Sequence, residues 1–228
     1  MEDARVLVHI DGDTKGIDKA AGEASNKLSK FKGIAKGVAG ATAAVGTAAA
    51  ATAKAFWNGA NATAQYGDNI DKASQKLKLS SNTYQEMDYI LQRNGASIDS
   101  LTIGMKNITK DLANFSNGSK DAAKKYEALG ISMKGVNGET KNEEQMMYSV
   151  ISSLMEMEDV TQRNAAAQEI FGRNAAELLP MLNAGSEEFD KLQWEARDYG
   201  MVMSEDAVKA SAAFEDSLLK LQEMVKYN

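Results

Sequence analysis

The side chains that could do chemistry are few in this 228-residue chain, and they do not form a reactive set. There is no cysteine, and the one histidine, His9, has no second histidine to share a metal ion with. Some neighbouring acidic residues have the composition of a general acid and base, such as the pairs Glu143-Glu144, Glu187-Glu188 and Glu205-Asp206. Each pair stands at a predicted helix start, where negative charge stabilises the positive end of the helix dipole. Because no glycine-rich phosphate loop is present either, the sequence predicts no enzyme, no catalytic residue, no cofactor and no metal site.

Composition and periodicity predict a mainly α-helical fold with three segments. Residues 1–16 contain an alternating apolar stretch, which predicts a short amino-terminal β-strand followed by a turn. Residues 17–66 form an Ala/Gly-rich helical arm, and residues 67–228 form a multi-helix bundle region. Near 131–141 the Asn137-Gly138 pair favours a tight turn or small hairpin within that region.

Helix starts and ends are predicted from capping residues and helix breakers. Ser80 to Asn82 and Asn142 have side chains that cap helix amino termini. We expect the arm helix to be broken at Trp57 to Gly59 and again at Gly67. A helix from Arg173 to Leu182 is expected to kink or end at Pro180, the only proline.

The arm contains 17 residues without a charge, Gly37 to Ala53, in a chain of which 25% is charged. Apolar and small residues recur there at alternating spacings of three and four, which predicts a heptad seam. The residues assigned to helix association or membrane insertion are Ile34, Val38, Ala41, Val45, Ala48 and Thr52. Because most of these side chains are small, helices that meet along the seam would approach closely, and insertion into a membrane stays an alternative use of the same run.

Charge is distributed unevenly along a chain whose net charge is −6. Residues 14–54 carry seven lysines against two acidic residues, a net of +5, whereas residues 139–228 carry eight basic and 18 acidic residues, a net of −10. The acidic part would repel phosphate, so specific nucleic-acid binding is not expected.

Several ordered segments resemble the amino-terminal region of bacteriophage tail tape measure proteins, or the related tapes of contractile injection particles. The resemblance covers nearly the whole chain and includes the strand at 6–11, the segment at 14–20, and Leu77 to Glu86, whose pattern is LxLSxxxYQE. It also includes the family motif FGRNAAELLP, within which we single out Phe171, Gly172, Arg173, Leu178, Leu179 and Pro180. The order and spacing of these segments carry the resemblance more than any one of them does.

The resemblance implies a structural protein of the virion, lying in the lumen of the tail tube after synthesis in the host bacterial cytoplasm. Such a protein sets tail length during assembly and is released at DNA ejection, when it can aid passage through a membrane. Implied partners are further copies of the chain (a trimer, for example), the tail tube protein, tail assembly chaperones, distal tail or baseplate proteins, and the host membrane during ejection.

Two other classes remain open from the residues alone. Trp57-Asn58-Gly59 and the Tyr84-xxx-Asp88 pattern are similar to the turn and the export signal of small secreted WxG helical-hairpin proteins. A membrane-active helical protein that inserts the Ala/Gly run is the other alternative.

Overall fold

The computed structural model describes the backbone of residues 49–226 and the side chains of residues 62–220 and 223. The predicted amino-terminal strand and most of the predicted heptad seam fall outside this range. The residues concerned include His9, Ile34, Val38, Ala41, Val45 and Ala48. Thr52 lies on described helical backbone.

The described part is mainly helical, which confirms the coarse fold class. In chain order its α-helices are α1 (Ala49–Leu77), α2 (Ser81–Arg93), α3 (Thr102–Ser116), α4 (Lys120–Glu127), α5 (Glu143–Glu156), α6 (Val160–Phe171), α7 (Ala175–Asp198) and α8 (Glu205–Lys226). Single turns of 3-10 helix, Ile98–Leu101 and Gly172–Asn174, precede α3 and α7.

These helices belong to two compact units. The larger unit is Ile70–Glu205, and the described part of the smaller one comprises residues 49–69 and 206–226. Within the smaller unit, Ala64 of α1 packs in one buried cluster with Phe214 and Leu218 of α8. The carboxyl-terminal helix therefore shares a core with a helix more than 130 positions earlier in the chain, which composition alone does not reveal.

The predicted break of the arm helix at Trp57 to Gly59 and at Gly67 is wrong. Helix α1 runs without interruption from Ala49 to Leu77, through both glycines. A glycine inside a helix costs only about 1 kcal/mol relative to alanine, and the alanine-rich stretch around these positions favours the helix. Gly67 is also buried, so the absence of a side chain serves packing at that position.

Capping explains where the following helices begin. The Ser80 side chain accepts a hydrogen bond from the Thr83 amide, and Asn142 forms a complete capping box with Gln145. Both caps were predicted, because they depend on residues only three positions apart. Asp159 plays the same part for α6 by accepting from the amides of Thr161 and Gln162.

Helix α7 contains one interruption, and it is not at the proline. Pro180 lies inside the helix, whereas Gly185 has the non-helical angles φ 82° and ψ 177°. The expected kink or end at Pro180 is therefore wrong, since the interruption inside α7 lies at Gly185. A positive φ suits glycine, which has no Cβ to clash with the backbone.

The segment for which a small turn or hairpin was predicted contains a single antiparallel bridge between Lys134 and Thr140. Gly138 has φ 78°, and its amide donates to the carbonyl of Gly135 at 3.0 Å. This turn leads directly into the capped start of α5.

One core of the larger unit is formed by apolar side chains from all its helices, and a polar cluster joins α3 to α4 at its edge. The Tyr126 side chain is fully buried, and its hydroxyl donates to Asp111 Oδ2 at 2.9 Å. Lys125 Nζ lies 3.1 Å from the same oxygen. Burial, followed by the charge and the hydrogen bond of Asp111, raises the pKa of the Tyr126 hydroxyl above its ordinary value of 10.0.

Tyr126→Phe should destabilise the protein by about 1 kcal/mol at neutral pH, because Asp111 loses a buried donor and keeps only Lys125. The unfolded chain releases the tyrosine proton at a lower pH than the native protein does. The stabilisation that the native protein gains from the protonated Tyr126 hydroxyl is therefore full below about pH 10. Above that pH the free energy of unfolding falls by up to about 1.4 kcal/mol per pH unit, because the unfolded chain has lost the proton that the native protein keeps. Urea unfolding of the two proteins at neutral pH and near pH 11 should show the difference between them shrinking at the higher pH.

Tyr199→Phe is the matched control, since Tyr199 is 62% exposed. Its free energy of unfolding should follow that of the parent protein across the pH series. Parallel pH profiles for the Tyr126→Phe variant and the parent would contradict this role of the buried hydroxyl.

Candidate functional site

Phe171, the first residue of the family motif, is fully buried against α3. The contact is so close that a Cβ built on Gly104 would lie 2.0 Å from Phe171 Cδ1. No residue with a side chain could occupy position 104 unless the buried ring moved. The pair thus fixes how closely α3 approaches the end of α6.

Gly172 forms the corner between α6 and α7. Its φ of 61° lies in the left-handed region, and a Cβ there would come within 3.1 Å of Ile103 Cγ2. The carbonyl of Ile170 at the end of α6 accepts a hydrogen bond of 2.7 Å from Asn107 Nδ2. The corner is therefore tied to α3 by both packing and hydrogen bonding.

The other residues of the motif divide between core and surface. Leu178 is fully buried, and Leu179 is half-buried against the same core. Arg173 and Pro180 are exposed. Thus the motif supplies a packed joint between helices rather than a set of converging reactive groups.

The segment Leu77 to Glu86 also ties parts of the larger unit together. The Gln85 amide group donates to the carbonyl of Met203 at 3.0 Å and accepts from the Met203 amide at 2.8 Å. The Gln85 side chain thereby binds both the carbonyl and the amide of one backbone position. These two bonds hold the chain after α7 against α2.

Glu86 is the most deeply buried carboxylate in this unit, with 3% of the residue exposed. Arg197 of α7 binds it with two hydrogen bonds, from Nε to Oε1 at 2.6 Å and from Nη2 to Oε2 at 2.8 Å. Gln193 Nε2 donates to Oε2 at 2.9 Å. The hydrogen bond to Glu86 raises the pKa of Arg197 above its ordinary value.

The charged pair joins α2 to α7. Sequence reasoning did not single out either residue, because 111 positions separate them. The one available signal was the match of Glu86 to the end of the LxLSxxxYQE pattern.

The acidic pair at the start of α5 has a second use beyond its own helix. Glu144 accepts from the Ser80 amide and from Thr83 Oγ1, both at 2.7 Å, and so also caps the start of α2. Within residues 49–226, no group of three or more His, Cys, Asp or Glu is arranged to hold a metal ion.

A groove of about 670 Å³ lies between the end of α1 and one side of α3. It contains four lysines and no acidic residue among the described side chains that line it: Lys76, Lys78, Lys106 and Lys110. Its other lining residues are apolar or neutral: Leu77, Thr102, Met105, Asn107, Thr109 and Ala113. An anionic ligand is the chemistry that such a lining favours.

Lys78 closes the end of α1 in a conformation that suits glycine better than lysine. Its φ is 58°, and it is the only non-glycine residue with positive φ in the described part of the chain. The Lys78 and Leu79 amides donate to the carbonyls of Gln75 and Ser74, which completes the helix end. A left-handed conformation costs a residue with a Cβ about 1–2 kcal/mol.

Gly104→Ala should destabilise the protein by about 1–3 kcal/mol, because the new methyl group would overlap the buried ring of Phe171. The direction of the stability change is informative, because Gly→Ala at a helix position without such a contact stabilises the protein by up to about 1 kcal/mol. Gly135→Ala is the control, because a Cβ there meets only the Glu139 carbonyl at 3.8 Å. Denaturant unfolding would contradict the packing account if Gly104→Ala left stability unchanged or raised it.

Arg197→Met should destabilise by about 2–3 kcal/mol, because it leaves the buried Glu86 charge with Gln193 as its remaining partner. This is below the range of about 3–5 kcal/mol for fully buried pairs, since the Arg197 side chain is 60% exposed. Lys191→Met removes the exposed Lys191–Glu188 pair instead and should leave the free energy of unfolding nearly unchanged, because solvent screens that pair.

Urea unfolding of the double variant Glu86→Leu/Arg197→Met completes this test. The double change should cost less than Arg197→Met alone, because no buried charge remains. Additive costs of the two single changes would show that the pair is not coupled.

A scan against protein-family models matches none of them, and searches of curated proteins and of solved structures return no match either. Among the described residues, no helix combines the length and the apolar character needed to cross a bilayer. The resemblance noted from the sequence therefore enters the functional argument as a proposal.

Proposed function

We propose that this chain is the amino-terminal region of a tape measure protein from a phage tail or a related contractile injection particle. In this function it is a non-enzymatic structural component of the tail tube lumen, sets tail length during assembly and leaves at DNA ejection. One observation carries the proposal: two of the segments that resemble the family, Leu77 to Glu86 and the family motif that begins at Phe171, join helices of the Ile70–Glu205 unit.

The contacts of these segments explain why that observation has weight. Here Ser80 caps a helix, Glu86 binds Arg197 as a buried carboxylate, and Phe171 fills the space left by Gly104. The matching residues are thus ones on which the fold of this unit depends.

The physical basis of a molecular ruler is the fixed rise of a helix. At about 1.5 Å per residue, the 29 residues of α1 span roughly 44 Å. Length in sequence becomes length in space only where the chain is extended in this way. The packed helices of the larger unit are better suited to a terminal attachment than to measuring.

The partners proposed with this function follow from the family and from the uneven charge. The seam from Ile34 to Thr52 would join copies of the chain in an oligomer such as a trimer. Tail tube protein, assembly chaperones and distal tail or baseplate proteins would contact the assembled tape, and the host membrane would meet it at ejection. Specific nucleic-acid binding is not part of this proposal.

The secreted WxG alternative has less support. Its turn would require the chain to reverse at Trp57-Asn58-Gly59, whereas the backbone of these residues lies inside the continuous helix α1. The membrane-active alternative depends on the Ala/Gly run, most of which precedes residue 49, and we retain it as a state that follows ejection.

The test inserts four helical heptads (about 28 residues) after Ala53 in the complete gene for this protein. The tail of the resulting particle should be longer by about 42 Å. The lengthening follows from the helical rise and is measured on purified particles by electron microscopy. The same heptads inserted after the exposed Val136 are the control. They would loop out of the turn and should leave tail length unchanged.

Two outcomes of this experiment would count against the proposal. Tails of unchanged length with the insertion after Ala53 would exclude a ruler function for the arm. Equal lengthening with both insertions would show that the chain does not measure by extended helix.

A further inference from the structure

We propose that the groove between α1 and α3 is a binding site for a phosphate-bearing anion, held by Lys76, Lys78, Lys106 and Lys110. This proposal does not depend on the tape measure function.

The first argument is that these four lysines have no partner of opposite charge. Among the described residues, none of the four takes part in an ion pair or a side-chain hydrogen bond. Elsewhere in the same unit, Lys124, Lys125 and Lys191 each pair with a nearby carboxylate. In a chain with six more acidic than basic residues, a groove with four unpaired cations is a local excess of positive charge.

The nearest acidic side chain on α3 does not neutralise this excess. Asp111 directly follows Lys110, but its carboxylate is bound by Lys125 and Tyr126. Asn107, which also lines the groove, uses its amide group to hold the end of α6. The four ammonium groups are left as the charged groups that a ligand would meet.

The second argument is the backbone of Lys78. The helix end would form more easily with glycine at this position, yet the chain has a lysine there in the left-handed region. Non-glycine residues in the left-handed region cluster at functional sites, so a lysine at this helix end points to a use for its side chain.

The residue types favour phosphate over other anions. Lysine binds phosphate as a compact charge, whereas planar carboxylates are recognised best by the two-pronged guanidinium of arginine, which the groove lacks. Thr102 and Thr109 add hydroxyl groups to the lining. Four cations suit a ligand with several negative charges, and a volume of about 670 Å³ is in the range of small-molecule sites.

The test is a calorimetric titration of the full chain with inorganic tripolyphosphate, and sedimentation with vesicles of phosphatidylglycerol in phosphatidylcholine. Binding to tripolyphosphate would assign a free phosphate compound as the ligand class. Binding to the vesicles alone would assign a lipid headgroup. Either should weaken as salt is added, because the attraction is electrostatic.

Two double variants that lose the same charge distinguish binding in the groove from non-specific electrostatic attraction of anions to the protein. Lys106→Gln/Lys110→Gln should weaken binding by about tenfold or more, corresponding to loss of about 1.4 kcal/mol. Lys120→Gln/Lys134→Gln, outside the groove, should change it less than about twofold by the same relation.

Lys78→Gly distinguishes a functional lysine from a merely structural one. It should raise the thermal midpoint by about 2–4 °C, because glycine accepts the left-handed conformation without strain. The same variant should bind the anion several-fold more weakly. A more stable protein with weaker binding is a result that a structural role for Lys78 does not produce.

Three results would overturn the proposal. The first is binding to neither probe at low salt, and the second is equal weakening of anion binding by the two double variants. The third is undiminished anion binding by both the Lys78→Gly variant and the Lys106→Gln/Lys110→Gln variant. Binding of a DNA duplex with neither of the two probes would likewise exclude a site for small phosphate compounds or lipid headgroups.

Discussion

The arrangement of the Ile70–Glu205 unit depends on a buried carboxylate. Removing an ionised Glu86 from water costs several kcal/mol, and only the guanidinium of Arg197 with the amide of Gln193 offsets that cost. These partners are available only when α2 and α7 lie side by side in one register. Apolar contacts alone would tolerate small slips between the helices, whereas a buried charge penalises every register that leaves it unpaired. The pair therefore disfavours arrangements of α2 and α7 in which Glu86 and Arg197 do not meet.

The other polar contacts of the unit act at the same joints. Gln85 holds the chain after α7, and Glu144 closes the start of α2 from the first turn of α5. The close approach of Phe171 to Gly104 sets the distance between α3 and the corner at Gly172. Together these contacts hold the helices of this unit in one arrangement, which is consistent with the structural function that we propose.

Structural features that depend on residues close together in the sequence were predictable, whereas those that depend on residues far apart were not. The caps at Ser80 and Asn142 depend on residues three positions away, so short patterns reveal them. The expected breaks at Gly59 and Gly67 were wrong because a modest propensity cost does not end a long helix. The Glu86–Arg197 pair could not be predicted, since its partners are 111 positions apart. The basic groove was missed for the same reason: Lys76 and Lys106 meet only after folding. The predicted seam before residue 49 stays a prediction.

The central functional claim is that this chain resides in a tail and leaves it with the genome. The most direct measurement is quantitative mass spectrometry of purified particles before and after triggered DNA ejection, normalised to the tail tube protein. We predict that peptides from residues 49–226 are present at a few copies per intact tail and are depleted after ejection. Their absence from intact tails, or equal amounts before and after ejection, would contradict the claim.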